Sequence, residues 1–502
     1  MTANQASMSI ALPIALVLAG CATVDPRPDY QTTIERISEA TGYETVYRPD
    51  EDELVQEQVD SLLNGGLTAD EAAQVCLLNN PDLQAMFFDI GMARADVVQA
   101  GLLSNPTLGL SLRLPSGGGL ANLEASVAQN IADIWQIPAR RESAQRQLER
   151  TILEVAAAVS ELVGRAKTAY FETVAASQAT ALAIGNQGIA QLLLDAALAR
   201  EEAGAGSLLE VNLARSELTG ADITVQAAQR EAYAGKIALA MLLGLTVSPD
   251  ELDLIEPLPD PPSWQLAEER LQDLATQHRL DLKAALQSAE AAHAEWALQK
   301  RSVFRNLEVG VSLERGQRTP QTDLDFVSDT IFNSISSGRL TPPSLKRRKS
   351  KHTDFIIGPS IALELPIFDQ NQAQIAKAEY KYRQALKTLD GLLRTLTQQT
   401  RAASNQATTS WDIVRSYRDH LLPQRQDNLN LSRDAYRLGK TSFLAVLEAQ
   451  RGYLAARREY IGSLFDGARS LIALEQVTGQ PLSKILQATP EPATRKDGES
   501  NP

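Results

Sequence analysis

The sequence is poor in the residues from which enzymes build their centres. Only two of its 502 residues are cysteine, Cys21 and Cys76, and only four are histidine: His278, His293, His352 and His420. The histidines are scattered and show no zinc-ligand spacing. Neither a Walker-type phosphate loop nor a nucleophile-elbow pattern occurs. No catalytic residue, cofactor site or metal site is read from the chain, and no enzyme is expected. Aromatics are also sparse, at 5%; alanine-rich stretches take their place, which points to long helices packed through small residues. The net charge of −14 makes general nucleic-acid binding a poor fit. It suits a solvated surface or a water-filled conduit with an acidic wall.

Long apolar runs are missing too. Beyond residue 20 nothing approaches the roughly 18 consecutive apolar residues of a membrane helix, so any crossing has to use β-strands. The first apolar run, Ile10 to Gly20, is too short to span and has no Lys or Arg before it. It ends in Leu18-Ala19-Gly20-Cys21, which resembles a bacterial lipobox. Residues 1–20 therefore read as a signal peptide, and Cys21 as a lipid anchor carrying covalent lipid (palmitate). Ala22 after it permits export to the outer membrane. Cys76 lies in a helical apolar pattern with Ala72, Ala73 and Leu77 and reads as a buried small residue.

What the chain does have is written twice. Pro81-Asp82-Leu83-Gln84-Ala85 returns as Leu280-Asp281-Leu282-Lys283-Ala284, and Gly109-Leu110-Ser111-Leu112 as Gly310-Val311-Ser312-Leu313. Ser207-Leu208-Leu209, with Val211 and Ala214, returns as Ser442-Phe443-Leu444 with Val446 and Ala449. The parts keep their order, so residues 67–245 form one repeat and 265–480 a second, which carries an inserted loop at 315–353. Residues 21–66 read as a lipid-anchored extension. The proline-dense stretch 246–264 is an extended crossover, and 481–502 is a tail, disordered from about Ala488.

Each repeat holds two segments of period two. Leu108, Leu110, Leu112 and Leu114 alternate with Gly109, Ser111 and Arg113, and Leu123, Ala125 and Val127 with Glu124, Ser126 and Ala128. Leu307 to Leu313 alternates likewise, as does Ile357, Ile361, Leu363 and Leu365 against Gly358, Ser360, Ala362 and Glu364. One apolar and one polar face is the pattern of a strand between lipid and water. Four strands cannot close a barrel in lipid, but three copies give twelve. The strands feed long helices, about Ala139–Arg200 and Ser207–Leu243, then Gln372–Leu438 and Ser442–Val477. Turns fall at Gly204-Ala205-Gly206 and Gly439-Lys440, with bends expected at Gly185/Gly188 and Pro423. Such hairpins have to pack side by side as antiparallel coiled coils. The fold class expected is mainly α with membrane β: long coiled-coil hairpins plus four transmembrane strands per protomer, closing a 12-stranded barrel and an α-barrel as a homotrimer.

At Leu365-Pro366-Ile367-Phe368-Asp369-Gln370-Asn371 and again at Tyr436 to Ala449, the chain resembles the TolC family of outer-membrane efflux proteins. The first stretch looks like its lipoprotein, heavy-metal/RND-type branch. The resemblance implies a passive exit duct that takes substrates from an inner-membrane pump and a periplasmic adaptor. It also implies that the turns at Gly204, Ser207, Leu208 and Leu209 and at Gly439, Ser442, Phe443 and Leu444 dock those partners. Family members carry two acidic residues after the second turn that narrow the entrance. One of those positions is Ala445 here and the other is Glu448, with Glu210 a second candidate in the first turn. The competing readings are a periplasmic adaptor, which has one hairpin between lipoyl-like β segments, and a structural coiled-coil envelope lipoprotein, which needs no amphipathic strands. The run Lys346-Arg347-Arg348-Lys349 with Lys351 faces the cell exterior by topology. The exported substrate is not written in the sequence.

Overall fold

The computed structural model describes residues 22–114, 121–246, 248–262, 267–318, 323–340 and 352–487. The expected lipid anchor at Cys21, the basic run 346–351 and the tail beyond 487 lie outside them. In chain order the helices are α1 (Arg27–Thr41), α2 (Asp52–Leu63), α3 (Ala69–Asn79), α4 (Pro81–Ala100), α5 (Asp133–Glu202), α6 (Leu208–Leu242), α7 (Glu268–His278), α8 (Leu280–Arg301), α9 (Asp323–Ser337), α10 (Gln372–Ser416), α11 (Leu422–Arg437), α12 (Phe443–Thr478) and α13 (Leu482–Gln487). The chain divides into two compact units. The smaller takes Val97–Ala144 and Ala292–Tyr382, and the larger takes the rest.

The smaller unit contains one antiparallel sheet, β1 (Thr107–Arg113), β2 (Asn122–Asn130), β3 (Leu307–Arg318) and β4 (His352–Leu363), in the spatial order β1-β2-β3-β4. Directly paired residues share a face, so the register decides what each face offers. Leu108, Val127, Val311 and Pro359 make one row; Leu110, Ala125, Leu313 and Ile357 make the next. The reverse face carries Gly109, Ser126, Ser312 and Gly358, then Ser111, Glu124, Glu314 and Ile356. The alternation legible in each strand thus becomes one continuous apolar face, and it is uncovered: Leu110 is 71% exposed and Ile357 72%. Among the described residues, β1 and β4 are edges with no strand on their outer sides. Leu114 and Leu365, expected within strands, fall just beyond them.

The strand-to-helix corners of this unit are held by polar side chains. Asp133 at the start of α5 accepts from the Ser104 backbone N–H at 2.7 Å and from Arg140 at 2.6 Å. Asn371, in the motif ahead of α10, adopts φ +62° and is 2% exposed. Asn tolerates this left-handed backbone better than most residues. Its amide donates to the Gln299 carbonyl at 2.7 Å and accepts from Arg305 at 2.7 Å, tying the end of α8 to the start of α10. That is the physical role of the final residue in the Leu365–Asn371 stretch.

In the larger unit the extension is built in rather than loose. Tyr30 and Tyr47 pack on Phe87 of α4, with ring centroids 6.0 and 5.9 Å away, and Arg94 of α4 pairs with the buried Asp29 of α1. The Lys167 ammonium lies 3.3 Å from both Asp70 and Glu475, and the Tyr43 hydroxyl donates to Asp70 at 2.5 Å. Burial opposes the charge of Lys167, but Glu475, Tyr43 and Asp70 together hold its pKa above the ordinary lysine value. The crossover is clamped at Leu67, whose N–H donates to the Asp253 carbonyl at 2.8 Å and whose carbonyl accepts from the buried Tyr170 hydroxyl at 2.7 Å. Cys76 is fully buried and donates to the Leu242 carbonyl at 3.4 Å; burial pushes its thiol up to about 12.

Several expectations change. Helix α5 begins at Asp133, not Ala139, and carries Pro138 within it; it then runs unbroken through Gly185 and Gly188 to Glu202. At 1.5 Å per residue, its 70 residues make a rod of roughly 105 Å. An 18-residue window of α5 is apolar enough in composition to suit a membrane helix, yet only 22% of it is buried within the protomer. Pro423 does not simply bend its helix. It follows a π turn at Tyr417–Leu421, where the Leu422 N–H reaches back to the Tyr417 carbonyl. That wider turn absorbs the hydrogen bond proline cannot make. The inserted loop 315–353 is not plain loop, because β3 continues to Arg318 and α9 follows. The tail 481–502 opens on structure, since Leu482–Gln487 is helical and Ile485 is fully buried.

Candidate functional site: the hairpin tips

The two helical turns lie in the larger unit and share one backbone solution. Gly204 and Gly439 both have φ +70°, a conformation that costs an L-residue roughly 1–2 kcal/mol. At the first turn the Ala205 N–H donates to the Arg200 carbonyl at 2.8 Å; at the second the Lys440 N–H donates to the Ala435 carbonyl at 2.8 Å. A serine then caps each outgoing helix: Ser207 accepts from the Glu210 N–H at 3.3 Å and Ser442 from the Ala445 N–H at 3.4 Å.

The side chains differ. Phe443 is buried with Leu447 of α12 against Leu194 and Ala197 of α5 and Val211 and Ala214 of α6, so the second tip supplies the core of the first. Its repeat equivalent Leu208 is 68% exposed. Leu209 and Leu444 are exposed in both turns, as is Leu438. A polar ladder crosses the same junction. The Arg200 guanidinium lies 4.9 Å from the centre of the Tyr436 ring, and the Tyr436 hydroxyl donates to Glu210 at 3.5 Å. Burial, with the Glu210 carboxylate beside it, raises the Tyr436 phenol above its ordinary range. Two turns further along α6, the mostly buried Glu217 pairs with Arg451 at 2.6 Å. Gln450 donates to Asn186 at 3.1 Å and accepts from Arg433 at 2.8 Å.

Glu448 and Glu210 are therefore not equivalent. Glu448 is exposed on α12, one turn before Arg451, whereas Glu210 is half-buried and engaged by Tyr436. Sequence reasoning missed Arg200, Tyr436, Glu217 and Arg451. Their signal lies in pairing across the two repeats, more than 200 residues apart, which no local pattern carries. Among the described residues, no group of three or more His, Cys, Asp and Glu side chains is placed to hold a metal ion.

Residues 72–245 and 271–480 match the outer membrane efflux protein family. The chain belongs to that family. Two relatives extend the match over most of the chain. The cobalt-zinc-cadmium resistance protein CzcC of Cupriavidus metallidurans is 24% identical over 83% of this chain and 91% of its own. The pyoverdine export outer membrane protein OpmQ of Pseudomonas putida is 23% identical over 82% and 85%. Among solved structures, the Campylobacter jejuni CmeC outer membrane channel superposes with a TM-score of 0.63 at 14% identity, covering 86% of this chain and 89% of that one. The long helices and the small antiparallel sheet are the TolC-type arrangement. The protein is an outer-membrane efflux channel component, located in the outer membrane, of a family of channels rather than enzymes. That separates it from the adaptor and tether readings.

Proposed function

We infer that three copies of this chain form a passive exit duct, the outer-membrane member of a tripartite efflux system. The observation that carries this reading is the four-stranded sheet with an uncovered apolar face and two open edges. An open edge is not tolerated in lipid. Pairing β1 of one copy with β4 of the next removes every edge and leaves twelve strands around a polar lumen lined by Ser111, Ser126, Ser312 and Glu314. The helices ask for the same partners, since Leu192, Ile223, Met241, Leu386 and Leu431 are all exposed on the hairpins of a single protomer. Lateral packing of three protomers into an α-barrel would bury such residues.

In this assembly the tips are the periplasmic entrance. Gly204, Ser207, Gly439 and Ser442 set the turns, and Leu208, Leu209 and Leu444 offer apolar anchors to an adaptor and an inner-membrane pump. Phe443 acts from inside, by fixing the tip that presents Leu444. Glu448, exposed on α12, is assigned to the constriction, where three copies facing one axis attract cations; Glu210 contributes less. Cys21 is the lipid anchor. Metal ions or small organics are the cargo proposed, in keeping with the cobalt-zinc-cadmium resistance and pyoverdine export relatives, with selection at the pump.

Single-channel conductance of purified protein in planar bilayers, with mass by light scattering on the same sample, tests the reading. Discrete steps from a trimer are expected. A monomer, or a silent membrane from a well-formed trimer, would overturn it.

A further inference from the structure

The element that the efflux reading leaves unused is α9, the helix between β3 and β4. Ile331, Phe332 and Ile335 stand on one side of it and are 54%, 70% and 76% exposed; Leu340, just past its end, is 98% exposed. Over the same turns the other side is polar: the Asn333 carbonyl accepts from the Ser336 hydroxyl at 3.3 Å and from the Ser337 hydroxyl at 2.6 Å. An apolar stripe backed by such a face is the pattern of a helix lying in a membrane interface.

Position argues for lipid over a protein partner. Only four residues separate Arg318, where β3 ends, from Asp323, so α9 starts within roughly 17 Å of the strand end. The sheet's apolar face reaches the same end in the row Leu112, Leu123, Arg315 and Phe355, with the Arg315 guanidinium 5.9 Å from the Phe355 ring centre. A cation beside an aromatic at the end of an apolar face is what a strand offers where hydrocarbon gives way to headgroups. The charge of the sequence agrees: from residue 338 to 351 it has Arg339, Lys346, Arg347, Arg348, Lys349 and Lys351 and no acidic residue, a balance that favours anionic headgroups.

We propose that α9 lies in the outer leaflet of the outer membrane, its Ile331–Phe332–Ile335 stripe seated among the acyl chains of lipopolysaccharide, as a collar beside the channel mouth. This rests on the outer-membrane channel reading, and the test separates the two. Ile335→Cys and, on the opposite face, Asn333→Cys are spin-labelled in the full-length protein. Ile357→Cys on β4 reports whether the sheet itself faces lipid. Each is reconstituted in vesicles containing lipopolysaccharide, and its collision rates with oxygen and with a water-soluble nickel chelate are measured. The expected result is that labels 335 and 357 favour oxygen several-fold over label 333, while label 333 meets the chelate. A lipid-exposed label 357 with label 335 open to the chelate, or shielded from both reagents by a neighbouring protomer, overturns the collar alone. If label 357 also favours the chelate, the barrel reading fails with it.

Discussion

The two hairpin tips make a controlled comparison inside one chain. Their backbones coincide: a glycine at φ +70°, a reverse hydrogen bond at 2.8 Å, and a serine cap three residues on. Yet the residue after the cap is buried core in one, Phe443 at 3% exposure, and open surface in the other, Leu208 at 68%. The turn is a local object, set by glycine's freedom at positive φ and a hydroxyl that reaches an unpaired N–H. The fate of the next side chain is a tertiary matter, decided by which neighbouring helix lies within reach. Duplication supplied two copies of one turn, and packing divided their work: the second tip holds the pair together while the first keeps its apolar residues available.

The largest expected effect comes from breaking that division. Phe443→Ala removes an aromatic from the shared cluster and should cost about 3–5 kcal/mol of local stability, whereas Leu208→Ala should stay within about 0.5 kcal/mol. Hydrogen exchange across both tips of the full-length protein measures this, and equal losses of protection would end the comparison. The backbone half predicts symmetry instead. Gly204→Ala and Gly439→Ala should each destabilise by about 1–2 kcal/mol, to the same degree, in denaturant melts. The acidic residues sharpen the contrast at the level of conduction. Glu448→Gln should weaken cation block in planar bilayers on the order of tenfold, and Glu210→Gln clearly less, because Tyr436 already occupies that carboxylate. A modest effect is expected for Tyr436→Phe, which deletes a single 3.5 Å hydrogen bond and should cost about 0.5–1 kcal/mol. If Tyr436→Phe also made Glu210→Gln as damaging to cation block as Glu448→Gln, the engagement by Tyr436 would be established as the cause of the difference.

Much of the fold was legible because its signals are local and repeated. Period-two segments located all four strands to within a few residues, and glycine-serine pairs located both tips. What escaped was whatever depends on distant partners. Helix α5 starts at Asp133, whose carboxylate accepts from Ser104 and Arg140, and it carries Pro138 within it. Pro423 reads as a bend, and only the backbone geometry reveals a π turn beside it. The packing of the extension and of α13 is not legible because their neighbours lie far away in sequence: Tyr30 and Tyr47 meet Phe87, and Ile485 packs with Leu271, Leu274, Ala403 and Ala407.

The sequence by itself determined the duplicated plan, the alternation of every strand, the glycine turns and the absence of catalytic and metal-ligand patterns, because each follows from spacing within a few residues. Only the tertiary structure decided that the four alternating strands merge into one uncovered apolar face with two open edges. It alone decided that Phe443 is core where Leu208 is surface, and that Glu448 is exposed where Glu210 is half-buried and engaged by Tyr436. Those outcomes depend on register and on contacts between repeats some 200 residues apart, and a one-dimensional pattern records neither.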